Sequence, residues 1–425
     1  MSHLFNLSLQ TSTVPSQWKC AQITPIPKTK NPSTPSDYRP ISVTSIISRQ
    51  LEQHVVKNYL YPALNDPPEE LNFHDQFAFR PSGSTSAALI AILQTISDMM
   101  LINENVILIS LDFSKAFDCV KHDVLFEKIA KLNVQDNIYN WLKSYFYNRQ
   151  HSTKFEEKIS NIRAINASVV QGSGLGPVSY SIAASDLKPK NKNFKIHKFA
   201  DDTYLVTTGN YTKQIKEEIE HVANWASNNN LILNSSKTRE MVIHKRHSRN
   251  HSLIEPTLGV ERVDSLVVLG VTLQNNQLMD KHVSKLLTEC GGLLYAMHKL
   301  RAHGMQTTAL QEVFRAKILA KIVYASPSWW GYASSEDCRG INSFLNKAKR
   351  FGFYPPSAPS FEDICSAADE KLFIKIASNT CHVLYQFLPN TKTHEHFLRT
   401  RRHNFNLPEN NKKNFLSRIL YKDIY

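Results

Sequence analysis

Between positions 105 and 120 the chain changes character twice. Val106-Ile107-Leu108-Ile109 is an unbroken apolar run rich in β-branched residues, and it continues through Ser110 and Leu111 to an acid, Asp112. A run without polar alternation predicts a strand covered on both faces. Two more short runs, Phe194 to Phe199 and Thr203 to Thr208, flank Ala200-Asp201-Asp202 and predict a hairpin with two acids at its tip. Elsewhere the period is helical. Ile47, Leu51, Val55 and Tyr59 mark one apolar face, and Leu89, Ile92, Leu93, Ile96 and Met100 another, in a helix that Ser84 or Thr85 would cap. Further faces run through Leu125, Ile129 and Leu132, through Ile138, Trp141, Leu142 and Tyr145, and through Ile215, Ile219 and Val222 to Trp225 or Ala226. Two longer ones follow, from Val283 to Met297 and from Leu310 to Ile322.

The segments between these elements are equally informative. Pro15 to Tyr38 is dense in proline, serine and threonine, which excludes a long helix and predicts strands and turns. Leu266 to Leu273, with Gly270 inside, predicts a strand pair or turn, and the chain beyond Trp330 predicts only a small α-helical extension. There are no internal repeats, and a length of 425 residues suits one multi-lobed enzyme or two to three domains. No apolar run is read as long enough to span a bilayer, and Met1 to Gln10 lacks the basic start and long apolar core of a secretory signal. No membrane is therefore expected among the partners.

Charge narrows the partners. A formal net charge of +13 suits a polyanion, nucleic acid before any other. The six cysteines form no Cys-x-x-Cys pair and no even scaffold, which points to a reducing, intracellular setting such as nucleus or cytoplasm. Cys381 with His394 and His396 reads as a solvated loop rather than a zinc set.

The chemistry centres on the acids. Adjacent carboxylates such as Asp201 and Asp202 repel, and one is driven toward protonation unless a cation sits among them. Asp-Asp alone merely suits a turn. The strand ending in Asp112 is the second element that changes this reading, because an acid closing a doubly buried strand is poorly explained as packing. Hard divalent cations such as magnesium take oxygen ligands and keep several waters, so Asp112 with Asp201, completed by substrate phosphates, would suffice.

The strings LDFSKAFD (Leu111–Asp118), QGSGLGP (Gln171–Pro177), FADD (Phe199–Asp202) and LNSSKT (Leu233–Thr238) occur in that order. Upstream stand PSQWKCAQITPIPK (Pro15–Lys28), SDYRPISVTSIISRQLE (Ser36–Glu52) and FAFRPSGST (Phe77–Thr85), and downstream YASPSWWGY (Tyr324–Tyr332). Together they resemble the motifs of reverse transcriptases, specifically those of non-long-terminal-repeat (LINE-type) retrotransposons, nearly continuously to about Gly331. Several motifs in fixed order are far more specific than any one of them.

The resemblance implies an α+β, right-hand polymerase: fingers over 1–95, a palm with an antiparallel sheet over 96–265, primer grip and helical thumb over 266–330, and a basic α-helical extension over 331–425. It implies an RNA-directed DNA polymerase that adds deoxynucleoside triphosphates to a DNA primer on an RNA template. Two Mg2+ ions, with Mn2+ as a substitute, would be held by Asp112, Asp201 and Asp202. Lys28, Arg39, Arg80, Phe113, Gln171 and Gly172 would face the nucleotide. Phe117 would exclude a ribose 2′-hydroxyl, and Lys237 would protonate the leaving pyrophosphate. Asp118 is typical of the family without a metal role. Basic residues His244 to Arg249, Lys281, Lys285, Lys299 and Arg301 are available to phosphates, and Arg399 to His403 forms a basic tail.

Departures from the pattern are Val170, where a proline is common, and Ser179-Tyr180-Ser181 in place of an aliphatic run. The first residues match the middle of a fingers segment, so a partial copy, following an endonuclease domain, is expected. Two alternatives stay open: a polymerase-like fold kept only as an inactive nucleic-acid-binding module, and an RNA-templated RNA polymerase, which Phe117 and the glycine-rich string disfavour.

Overall fold

The computed structural model describes residues 1–114, 116–245, 254–391, 403–408 and 413–422. Arg246 to Arg249 of the basic loop, Arg399 to Arg402 of the basic tail, and His394 and His396 lie outside the described residues. In chain order the strands are β1 (Cys20–Pro27), β2 (Tyr38–Val43), β3 (Asn105–Leu111), β4 (Phe113–Ser114), β5 (Arg149–Phe155), β6 (Lys158–Ile159) and β7 (Arg163–Ile165). They continue with β8 (Lys195–Phe199), β9 (Asp202–Thr208), β10 (Ile232–Leu233), β11 (Arg239–His244), β12 (Glu261–Arg262), β13 (Ser265–Val268) and β14 (Val271–Gln274).

The central sheet has the order β12-β11-β3-β9-β8, with β3 antiparallel to both β9 and β11. Its middle position explains why β3 is apolar throughout. Ile107, Ile109 and Leu111 enter one core, shared with Trp141, Tyr180 and Val222 of helices on that face. Val106 and Leu108 enter another, shared with Leu286, Leu310, Ile341 and Phe361. Burying each such side chain contributes about 1.5–3 kcal/mol, an upper estimate.

The helix Thr85–Ile102 corrects one expectation. At 18 residues and a mean hydropathy of 1.6, it is long and apolar enough by length and composition to cross a membrane. Its apolarity has a local cause, because it lies between two cores. Leu89, Ile92, Leu93, Ile96 and Met100 pack toward the central sheet, as their spacing predicts. Ala87, Ala88, Ile90 and Ala91 pack the other way, against Phe373, Ile376, Leu384, Phe415 and Leu420 of the C-terminal part. Ser84 is the cap, its Oγ accepting Ala87 N–H at 3.1 Å.

The expected divisions at 95/96 and 330/331 do not mark breaks in packing. The first falls inside this helix, and residues on both sides of the second share one core. Nor is the N-terminal sheet contiguous in sequence: β1 pairs antiparallel with β2 and in parallel with β5, which in turn carries β6 and β7. The helix Ile46–Val55 runs into a π-helical turn, Val56–Leu60, whose extra residue rotates the inner face. Val56 and Leu60 are buried there, and Tyr59 only partly so. The predicted turn at Gly270 is a tight hairpin between β13 and β14, with Leu269 and Gly270 both at positive φ.

Candidate active site

β3 delivers Asp112 and the β8–β9 hairpin delivers Asp201 and Asp202. Leu111 pairs with Thr203, so the next step along the register sets Asp112 beside Asp202, at the same end of the sheet. Phe199 pairs with Asp202, which leaves a two-residue loop, Ala200-Asp201. Ala200 closes it at φ +56, a conformation that costs an L residue roughly 1–2 kcal/mol. A brace holds it there. Gln76, almost fully buried, accepts Ala200 N–H at 3.1 Å and Ala78 N–H at 3.0 Å through one oxygen. Beside it Lys198 is buried, its ammonium paired with Asp75 at 3.1 Å and bonded to the Ala184 carbonyl at 2.9 Å.

The three carboxylates feel one another. Burial pushes Asp201 above the usual carboxylate range, the charge of Asp112 adds to the rise, and Arg39 opposes it. Asp202 is exposed by area, yet its carboxyl, set at the end of the sheet, loses part of its hydration. That desolvation, followed by the charges of Asp201 and Asp112, pushes it up to about 6. Lys237 Nζ lies 3.4 Å from Asp112 Oδ2, in a loop tied to the Asp112 backbone by Asn234 N–H at 2.8 Å. The donor set is all carboxylate oxygen, the chemistry a hard cation takes, and its excess negative charge suits one. Among the described residues no group of three or more His, Cys, Asp or Glu side chains is arranged to hold a metal ion.

Phe117 stands close by as half of a stacked pair. Its ring lies on that of Tyr180, centroids 4.5 Å apart at 19°, and the edge of Phe79 closes the side at 6.2 Å. Tyr180 is buried, and the charges of Asp201 and Asp202 add to the desolvation that raises its hydroxyl, so it sits within their field. Gln171 donates its side-chain N–H to Asp118 Oδ1 at 2.8 Å, and its carbonyl accepts Ser42 N–H of β2 at 2.7 Å. Gly172 has φ +106, and a Cβ there would stand 2.6 Å from the Ser42 carbonyl. The space a side chain would need at this position is therefore taken by the chain's own strand.

The other expected nucleotide contacts divide. Arg39 is exposed on β2, and its charge reaches Asp201. Lys28 curls back over its own hairpin to the Ser36 carbonyl at 2.9 Å. Arg80 is turned inward to the Phe73 carbonyl and lies in the fields of Asp75 and Cys381. Phe113 differs from these: strand alternation sends its ring opposite to Asp112, into the core against Trp225 at 6.0 Å, leaving only its backbone for any ligand. Sequence reasoning missed Gln76, Tyr180 and Glu52. Tyr180 was visible as a departure from an aliphatic pattern, and Glu52 as an acid beside Leu51 on a buried helical face.

Residues 26–273, more than half of the chain, match the family model described as reverse transcriptase (RNA-dependent DNA polymerase). The chain belongs to the reverse transcriptase family. It is 26% identical over 379 residues to the probable RNA-directed DNA polymerase from transposon BS of Drosophila melanogaster, covering 82% of this chain and 40% of that protein. It is also 26% identical over 295 residues to the RNA-directed DNA polymerase from mobile element jockey of the same fly, covering 67% of this chain and 32% of the relative. This reverse transcriptase chain thus spans about two fifths or less of the length of these relatives. Among solved structures, apo telomerase from Candida tropicalis matches at a TM-score of 0.45 and 13% identity over 88% of this chain and 64% of that one, too loosely to carry weight. Reverse transcriptases generally use divalent metal ions.

Proposed function

We propose that this chain is the polymerase portion of a LINE-type retroelement reverse transcriptase, extending a DNA primer on an RNA template from deoxynucleoside triphosphates. One observation carries the reading: β3 and the β8–β9 hairpin bring Asp112, Asp201 and Asp202 to one sheet end as an electrostatically strained acidic set. The primer 3′-hydroxyl gives up its proton to solvent as its oxygen forms a bond to the α-phosphorus and the bond from that phosphorus to pyrophosphate breaks. Asp112, Asp201 and Asp202 would hold the divalent cations, two Mg2+ or in their place Mn2+, which when bound supply the positive charge that offsets the charge developing on the phosphoryl oxygens. Arg39 holds phosphate oxygens with its planar fork, at the side of the cleft where its charge reaches Asp201. Lys237, exposed and within reach of the cluster, delivers a proton to the departing pyrophosphate. Phe117, backed by Tyr180, presents a rigid wall to the sugar.

The test is primer extension by purified Asp201→Asn on an RNA template. Extension is expected to fall by about 100-fold or more, with template binding retained. Full activity in that variant would contradict the assignment, and retained binding without extension in the unaltered chain would favour an inactive binding module.

A further inference from the structure

The loop Gln171–Leu175 belongs to no strand, yet it is fixed from three separate parts of the chain. Ser42 of β2 holds the Gln171 carbonyl, and Asp118 takes the Gln171 side chain. At the far end Glu52, on the helix Ile46–Val55, accepts Gly174 N–H at 2.7 Å and Leu175 N–H at 3.4 Å with one oxygen. Its other oxygen accepts the Ser48 hydroxyl at 2.7 Å. Glu52 is 0% exposed. Burying a carboxylate is costly unless its charge is matched, and here it is aimed at two amides leading into the helix Gly176–Ala183. A Cβ at Gly174 would stand 3.0 Å from Glu52 Cβ, so the contact is close as well as polar.

The near end of the loop is coupled to the aromatic wall. Val169 N–H donates to the Phe117 carbonyl at 2.9 Å, and Asp118, the residue after Phe117, receives Gln171. The segment Phe117–Asp118 and the segment Val169–Gln171 are thereby joined twice, once through backbone and once through side chains. Displacing the loop displaces the ring, and displacing the ring displaces the loop.

We propose that Asp118 and Glu52 are positioning residues for sugar selection, Asp118 by fixing the spacing between Phe117 and Gln171, and Glu52 by anchoring the far end of the same loop to the N-terminal part of the chain. This rests on the polymerase reading above. Neither carboxylate touches the reacting atoms. Without the Asp118 bond, the loop and the ring separate enough to admit a 2′-hydroxyl, and the incoming nucleotide loses a defined seat before the chemical step is affected.

Single-nucleotide incorporation on an RNA template, with kcat and KM measured for a deoxynucleotide and its matching ribonucleotide, tests this. The unaltered chain comes first: if it incorporates neither nucleotide, the polymerase reading itself fails. Given an active chain, Asp118→Ala should raise the deoxynucleotide KM with little change in kcat, and should lower the deoxy-to-ribo ratio of kcat/KM by about tenfold. Asp118→Asn keeps an oxygen for Gln171 and should restore the ratio to within about twofold of the unaltered chain. An unchanged ratio in Asp118→Ala, or Asp118→Asn as impaired as Asp118→Ala, overturns the role of Asp118. Glu52→Ala risks unfolding, so Glu52→Gln is the second variant. It keeps the acceptor but not the charge, and a deoxynucleotide KM a few-fold higher at constant kcat is expected; an unchanged KM overturns the role of Glu52.

Discussion

Two sets of acids meet at the β8–β9 hairpin. On its packed side Asp75 is buried with Lys198 at 3.1 Å, and Asn72 donates to its other oxygen at 3.0 Å. The same treatment recurs elsewhere, with Glu240 paired to Arg262 and Asp369 gripped by Arg418 and the Trp330 indole. On the open side Asp112, Asp201 and Asp202 face mainly one another, with the exposed Lys237 on Asp112 and the charge of Arg39 reaching Asp201. Asp75, Glu240 and Asp369 carry their counter-charge in the sequence. The acids at the sheet end are left in excess, which is the state that lets a cation complete them from outside.

Asp112→Asn separates these two behaviours most widely. Primer extension should fall by about 100-fold or more, while the thermal midpoint in metal-free buffer stays level or rises, because a repelling charge has gone. A markedly lower midpoint would place Asp112 among the structural acids. Lys198→Met is the mirror experiment. Leaving Asp75 buried and unpaired should cost about 3–5 kcal/mol in urea unfolding, and Asp75→Asn added to it should recover part of the loss.

A smaller effect concerns two buried histidines, His197 on β8 and His282 on the helix Asp280–Ala302. Burial, helped by Lys195, lowers His197 to about 4, and burial with Lys285 lowers His282 to about 4. In the unfolded chain both take protons near ~6.5. Between ~6.5 and ~4 the unfolded state therefore binds more protons, so this stability is present above the upper limit and is lost as pH falls through the window. Urea midpoints at pH ~7 and ~5 should differ, and His197→Gln should shrink the difference. The smallest effect on stability is expected for Lys237→Gln, under about 0.5 kcal/mol, because its ion pair is exposed. Its extension rate should nevertheless drop, and a rate equal to that of the unaltered chain would remove Lys237 from the chemistry.

What the sequence made legible follows from range. The strand ending in Asp112, the hairpin around Asp201 and the turn at Gly270 are local patterns, and the structure places them within a residue or two of expectation. The pairing of Gln171 with Asp118, the Gln76 brace under Ala200 and the Tyr180 ring under Phe117 join residues 53 to 124 positions apart or packed from another element, and no periodicity announces them. That the Phe113 ring turns into the core follows from strand alternation beside Asp112 and is not visible in the family motif alone. The helix Thr85–Ile102 was read as one-sided because its alanine face is small, yet that face receives the C-terminal helices.

The parallel pairing of β1 with β5 bears on how this molecule is made. Cys20 to Ile23 wait for Gln150 to Thr153, so the first sheet stays open on one side until more than a hundred later residues have emerged and β3 already exists. Closure of so wide a loop is slow and leaves an unprotected strand edge meanwhile. A chain halted between the two strands would thus leave that edge bare, whereas one halted after β7 has every strand of the sheet.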